Sequence, residues 1–260
     1  MKDFFSNIFI FTIMNITLLG YGKMGHMIAS LITKDHNIVS TIDLTAPDAT
    51  HKLINASALK DTDVVIDFSH PEGFLDNLRQ IASFGKNVVV GTTGWYDHLE
   101  KAREIVTANN IGFLYSSNFS IGVQLFLRLV ERAGELFNPF EGYDAFAHEF
   151  HHRQKADSPS GTALSVARVL LKTFPRKKTI LTDTSHEKIA PDALHLTSTR
   201  GGYIPGTHEV FFDSEADTVE IRHTARSRAG FAAGALKASQ WLVDKKGFFT
   251  MDDFLKDLFN

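Results

Sequence analysis

The chain contains no cysteine among its 260 residues. That absence excludes disulfides, thiolate catalysis and cysteine-ligated metal, and it fits a reducing cytoplasm. Positive charge is not in excess either: 27 Lys and Arg stand against 30 Asp and Glu, for a net charge of −3. With no basic run besides, general nucleic-acid binding is excluded. No internal repeat and no low-complexity linker divides the chain. Apolar residues gather from Phe4 to Met14, but Ser6, Asn7 and Thr12 interrupt them and the run is short for a membrane span. It lacks the small-residue cleavage site of a signal peptide and leads directly into Ile16-Thr17-Leu18-Leu19. We therefore expect residues 1–13 to be an extra or misassigned N-terminal extension ahead of Met14, and a cytoplasmic protein with no membrane partner.

What is present is ordinary in bulk. Hydrophobic residues make up 43% and charged residues 22%, as in a globular protein, and the length permits one large domain or two modest ones. The 22 phenylalanines are scattered, which assigns them to core.

Two stretches carry chemistry. The first is Gly20-Tyr21-Gly22-Lys23-Met24-Gly25, a G-x-G-x-x-G between the apolar run Ile16 to Leu19 and the helix-like His26 to Ile32. A second strand, Ile38 to Ile42, follows and ends in Asp43. In such a unit the first glycine permits the tight turn, the second lets backbone approach a pyrophosphate, and the third allows helix to pack on strand. An acid about 20 residues on accepts the ribose hydroxyls. Asp43 lies where that acid belongs.

The second is His148 to Ala163, which packs imidazoles, Lys155 and Asp157 ahead of Ser160-Gly161-Thr162 and an apolar helical run. Imidazoles pass protons near neutral pH, and lysine supplies a movable cation. A Ser-Gly-Thr at a helix start presents free N–H groups to an anion. The pattern reads as a pocket for a small carboxylate that must be protonated.

Strand-like and helix-like runs alternate through the first half: Val64 to Ser69, Phe74 to Phe84, Val88 to Gly91, 97–109 and Ile111 to Tyr115. That alternation predicts a parallel sheet with crossover helices, whose strand ends at Ser69-His70-Pro71, Gly91-Thr92-Thr93-Gly94 and Ser116-Ser117-Asn118 line a cofactor crevice. Beyond a long helix over Ile121 to Phe137 the pattern turns to α+β, with a strand over Tyr143 to His151, a helix over Ala163 to Phe174 and strands within 193–225. Phe231 to Val243 returns to helix, and Phe248 to Leu255 reads as a cap on the first domain. The fold class is thus α/β: an N-terminal Rossmann-like dinucleotide-binding domain (1–117 and 229–260) and an α+β domain with a mixed sheet (118–228).

The block Glu149 to Ala163 resembles the signature of the 4-hydroxy-tetrahydrodipicolinate reductase (dihydrodipicolinate reductase) family of the diaminopimelate route to lysine. Gly91 to Gly94, Asn118 to Val123, Gly206 to Val210 and Ser227 to Phe231 match in the same order, so the resemblance covers nearly the whole chain. It implies His151 as proton donor/acceptor, Lys155 as proton donor, and His152, Gly161 and Thr162 as contacts to a small dicarboxylate heterocycle. It implies that Gly20, Tyr21, Gly22, Lys23, Met24, Gly25, Asp43, Gly91, Thr92, Thr93, Ser116, Ser117, Asn118 and Phe119 hold the cofactor. It also implies a homotetramer formed through the middle domain. The chain departs from the family pattern in a glycine loop one residue shorter than the longer form, and in Leu44 where a basic residue follows the acid. With Asp43 at the ribose and no cation beside it, NADH is the expected cofactor, with NADPH accepted less well.

Three other readings compete. His148-Glu149-Phe150-His151-His152 satisfies H-E-x-x-H, a zinc hydrolase pattern that requires a helix; our reading assigns no metal. A related amine dehydrogenase would share the scaffold. A non-catalytic nucleotide sensor would explain the glycine loop but leave the His-Lys-Ser-Gly-Thr block without a purpose. On a strand, His148 and His152 share a face opposite to His151, and His148 is expected to be structural.

Overall fold

The computed structural model describes residues 13–259, and the expected N-terminal extension lies almost wholly outside them. The chain forms two compact units, one up to Phe119 and again from Phe231, the other Ser120–Gly230.

The first unit opens as alternating strands and helices: β1 (Met14–Leu19), α1 (Lys23–Ser30), β2 (His36–Ile42), α2 (Ala56–Leu59), β3 (Val64–Asp67), α3 (Phe74–Ser83), β4 (Asn87–Val90), α4 (Leu99–Asn109) and β5 (Gly112–Tyr115). All four residues of β3 and of β4 are buried. This is why Val64-Val65-Ile66 and Val88-Val89-Val90 are continuous apolar runs rather than alternating ones: strands covered by helices on both faces have no solvent side. In α3 the buried positions Phe74, Leu78, Ile81 and Ala82 recur at helical spacing and face that sheet.

The second unit holds α5 (Ile121–Phe137), β6 (Asp144–His151), α6 (Gly161–Thr173), β7 (Thr179–Leu181), β8 (Ala193–Arg200), β9 (Thr207–Asp213) and β10 (Thr218–Thr224). Its sheet has the order β10-β9-β6-β8-β7. Strands β6 and β9 pair antiparallel while β6 and β8 pair parallel, so the sheet is mixed. One face packs Ala145, Ala147, Leu194, Leu196, Val210 and Phe212 against Phe126, Val130, Val166 and Leu170 of α5 and α6. On the other face Phe146 stacks on Phe211 at 4.8 Å between ring centres and is 37% exposed.

The chain then returns to the first unit through α7 (Ala229–Leu242), β11 (Gly247–Thr250) and α8 (Met251–Phe259). The tail is more than a cap: β11 pairs parallel with β5, Phe248 opposite Phe113, and completes a six-stranded sheet of order β11-β5-β4-β3-β1-β2. Its rings explain the attachment, since Phe248 stacks on Phe113 at 4.6 Å. The strand order reverses at β1 and β3, which is where open parallel sheets bind nucleotides.

The zinc-hydrolase reading fails at this level. His148 to His151 lie in β6, and alternation sends Glu149 and His151 to the buried face and His148 to the other. The i, i+4 pair of ligands that H-E-x-x-H needs exists only on a helix. No helix among the described residues is long and apolar enough to cross a membrane.

Candidate active site

In the first unit the parallel strands β1, β3, β4 and β5 bring their following loops to one edge of the sheet. Phe68 N donates to Leu19 O (2.8 Å), Gly91 N to Asp67 O (2.8 Å) and Ser116 N to Val90 O (3.1 Å). Gly20 makes the turn after β1 at φ +86°, with the position of a Cβ only 2.4 Å from Phe68 O. Gly22 differs: a Cβ there meets nothing within 4 Å, and as N-cap of α1 it makes no side-chain hydrogen bond to the helix start. A helix N-terminus with open space at Gly22 fits a pyrophosphate.

Asp43 serves this loop directly. Its Oδ2 accepts from Tyr21 N (2.8 Å), and its Oδ1 from Thr45 N (2.8 Å), Ala46 N (2.8 Å) and Thr45 Oγ1 (3.1 Å). Desolvation pushes the carboxyl up, but the amides of Ala46, Thr45 and Tyr21 outweigh it and hold the pKa at about 2. Asp43 therefore stays ionised at any working pH. A carboxylate offers about four acceptor positions, so Oδ2 keeps room for one more donor. Tyr21 stacks on His26 at 4.2 Å. His26 Nδ1 lies 2.8 Å from Gly22 O and Nε2 2.8 Å from Asp48 Oδ2. Both partners are acceptors, which favours the protonated ring, and the Gly22 carbonyl and then Asp48 raise the imidazole pKa. Lys23 is exposed at the first position of α1, with Met24 and Gly25 behind it.

Asp67, fully buried at the end of β3, ties the next two loops together by accepting from Ser69 N (2.8 Å) and Thr92 Oγ1 (3.1 Å). Burial pushes its carboxyl up. Thr92 thus points its hydroxyl at Asp67, while Thr93 is exposed and Gly91 packs with the Phe68 ring 2.2 Å from where a Cβ would sit. Ser116 Oγ donates to Asn118 O (2.9 Å) and accepts from Asn118 N (3.0 Å), closing that turn around exposed Ser117. Phe119 is buried, its ring edge-on to Phe68 at 6.2 Å between ring centres.

In the second unit one side chain organises the rest. Glu149 is fully buried on β6, and its Oε1 accepts from Ser198 Oγ (2.7 Å), Ser160 N (2.8 Å) and Arg200 Nη2 (2.8 Å). Its Oε2 lies 3.2 Å from His151 Nδ1 and 3.4 Å from His208 Nε2. Desolvation pushes this carboxyl up, but His151, His208, Ser160 and Arg200 overwhelm it and hold it far below the usual range. Register supplies the partners: β6 sets His151 opposite Arg200 on β8 and Glu149 opposite His208 on β9.

Ser160 is also the N-cap of α6, its Oγ accepting from Ala163 N at 3.1 Å. Gly161 and Thr162 are the first helical residues; Gly161 is exposed, with nothing within 4 Å of a Cβ position. The positive end of the helix dipole lies there. Lys155 Nζ pairs with Asp157 at 2.7 Å, and Arg200 Nη2 donates to Asp157 O at 2.7 Å. The lysine holds the Asp157 carboxyl below its ordinary value. His152 is half-buried, its N donating to Ile204 O (2.8 Å) and its Nδ1 buried without a partner. His151, Lys155 and the α6 N-terminus are therefore joined by one chain of contacts through Glu149, Arg200 and Asp157. His148 stands apart on the opposite face between Thr197 and Thr199, where burial lowers its pKa. Among the described residues Glu149, His151 and His208 also place ligand-type atoms within 4.8 Å of one another. The guanidinium already on that carboxylate opposes a second cation there.

The sequence assigns no role to Arg200, His208 or His26, and Glu149 enters it only within the zinc pattern and as the first residue of the family-like block. Arg200 and His208 reach the site through strand register, although His208 lies within the Gly206 to Val210 match.

A switch-point glycine loop in one unit and, in the other, a buried carboxylate–imidazole pair beside an open helix N-terminus define a dinucleotide-dependent oxidoreductase for an anionic substrate. Family models described as dihydrodipicolinate reductase, N-terminus and C-terminus, match residues 14–119 and 122–255. The chain belongs to the dihydrodipicolinate reductase family, and its members' chemistry requires NAD(P)H. A 4-hydroxy-tetrahydrodipicolinate reductase of Christiangramia forsetii is 41% identical over 95% of this chain and 99% of its own length. One from Archaeoglobus fulgidus is 42% identical over 75% of this chain and 77% of its own. A dipicolinate-bound dihydrodipicolinate reductase from Paenisporosarcina sp. TG-14 shares the fold at a TM-score of 0.75 and 21% identity, covering 93% of this chain and 99% of that one. These relatives favour the reductase over the amine dehydrogenase, the zinc hydrolase and the nucleotide sensor.

Proposed function

We propose that the chain reduces 4-hydroxy-tetrahydrodipicolinate, the substrate in the names of its relatives, to tetrahydrodipicolinate with NAD(P)H. The observation that carries this is the Glu149-centred link between His151 and the start of α6, which couples a proton-transfer group to an anion anchor. His152, Lys155, Gly161 and Thr162 hold the two carboxylates of the ring, where charge-assisted hydrogen bonds are strong. The cofactor, when bound, supplies the hydride to a ring carbon. The ring hydroxyl leaves as water together with a proton from the adjacent ring carbon, and His151 or Lys155 delivers the separate proton that quenches the enamine-like charge developed on hydride addition. The test is a coupled assay with freshly generated substrate: NADH absorbance falls if the proposal holds and stays level if it does not.

Gly20 to Gly25, Asp43, the Gly91 to Thr93 loop and the Ser116 to Phe119 loop hold the cofactor. Asp43 accepts from a ribose hydroxyl of NADH but repels the phosphate of NADPH, and Leu44 adds no cation. Lys23 on the open surface is worth only about 0–1 kcal/mol toward that phosphate. NADH is therefore preferred and NADPH used measurably. Asp43→Ser is expected to narrow the ratio of kcat/KM between the two cofactors, and Lys23→Ala to weaken NADPH selectively. A wild type that favours NADPH tenfold or more would displace Asp43 from the ribose.

Phe146 and Phe211 form a stacked aromatic pair on the sheet face away from α5 and α6, with Phe146 exposed among Asp144, His148 and Thr197, and this pair supports the homotetramer expected of the family. Light scattering on the purified protein is expected to give four times the chain mass; a monomer would contradict it.

A further inference from the structure

We infer that Glu149 is a positioning residue for proton transfer, holding His151 in one tautomer and in one register with the anion-binding start of α6. This deepens the proposed reductase reading, since it takes His151 as a proton-transfer group. A carboxylate required only for folding would be satisfied by the three donors on Oε1, Ser160 N, Ser198 Oγ and Arg200 Nη2. Glu149 does more. Its second oxygen is turned to two imidazoles, and neither that oxygen nor His151 Nδ1 has a fully aligned hydrogen-bond partner. Catalytic hydrogen bonds are commonly long in the ligand-free state and tighten when charge develops.

The consequence for His151 is chemical. An ionised carboxylate only accepts, so the proton facing it at 3.2 Å sits on Nδ1. Nε2 is left as the atom that takes up and releases a proton. A Cβ at position 206 would stand 2.9 Å from that atom, so glycine there leaves it uncrowded. The same carboxylate oxygen pair fixes Ser160 N, so the proton-transfer ring and the first amides of α6 cannot drift independently. The charged and titratable groups around His151 are Glu149 on its own strand, Arg200 on β8, His208 on β9, and Lys155 with Asp157 on the loop after β6. Glu149 is the one anion among them that faces the ring directly.

Glu149→Gln keeps the shape and one acceptor oxygen but removes the charge that stabilises an imidazolium. It is expected to lower kcat about 10- to 100-fold, with KM for substrate and Kd for NADH within about threefold. The alkaline limb of the kcat profile should move about one pH unit lower, because loss of an anion beside a proton donor lets the donor discharge earlier. Glu149→Asp, which keeps the charge, should restore the limb and part of kcat. A limb that stays in place in Glu149→Gln would overturn the inference, as would loss of wild-type activity on dialysis against EDTA, which would make Glu149 a metal ligand. A reading free of any folding defect comes from the wild type itself. Nitrogen-15 spectra of histidine-labelled protein, with His151→Gln to identify the resonance, are expected to show neutral His151 protonated on Nδ1. Protonation on Nε2 would overturn the inference. The spectrum is independent of turnover, so it separates failure of this inference from failure of the reductase reading.

Discussion

His151→Gln and Lys155→Ala are each expected to lower kcat by about 100- to 10,000-fold, the range for loss of a general acid, while Kd for NADH stays within about twofold. His151 ends β6 on its buried face, held against Glu149, and Lys155 follows in the loop that leads to α6. Neither residue belongs to the unit that carries the glycine loop. Glutamine at 151 retains a donor but cannot exchange a proton near neutral pH. Alanine at 155 removes both a cation and the partner of Asp157. Steady-state rates with fluorescence titration of NADH check both parts. Full turnover in both variants would remove proton transfer from this site.

Gly20→Ala is expected to lower the thermal midpoint by about 5–15 °C and to weaken NADH at least about tenfold. A Cβ at Gly20 would lie 2.4 Å from Phe68 O and 2.7 Å from Ser69 N, both of them backbone atoms in the loop just after β3 that cannot step aside like a flexible side chain. The residue also sits at φ +86°, which costs a non-glycine about 1–3 kcal/mol. Together these give about 2–4 kcal/mol, and for a chain of this size each kcal/mol moves the midpoint by about 2–4 °C. Gly22→Ala is the informative contrast. Its Cβ meets no protein atom within 4 Å, so stability should hold within about 0.5 kcal/mol while NADH binding still falls. Equal loss of stability in both variants would mean that the open space beside Gly22 is not ligand space.

The sequence reached furthest where chemistry is local. Gly20 to Gly25 announces a strand-turn-helix because each glycine answers a requirement within a few residues. The Ser160-Gly161-Thr162 step likewise announces a helix start. The parallel sheet was legible from buried strands such as Val88-Val89-Val90, whose continuous apolar character follows from cover on both faces. Three things were not legible. The tail's role as a sixth strand depends on Phe248 meeting Phe113, a contact between distant residues. Arg200 and His208 join Glu149 through cross-strand register, which no local pattern encodes. Whether the H-E-x-x-H match lay on a helix or a strand was not readable either, because the match tests residue order but not the helix on which that order has meaning. Asp43 is an intermediate case: its place after β2 was readable, but its use by Thr45, Ala46 and Tyr21 emerges only in the fold.

The most direct test of hydride transfer to a ring held in this site uses NADH carrying deuterium at the transferred position and freshly generated 4-hydroxy-tetrahydrodipicolinate. Mass spectrometry of the product is predicted to show one deuterium per molecule of tetrahydrodipicolinate, formed in step with NADH consumed. NADH consumed with an unlabelled product, or a substrate left unreduced, would contradict the account.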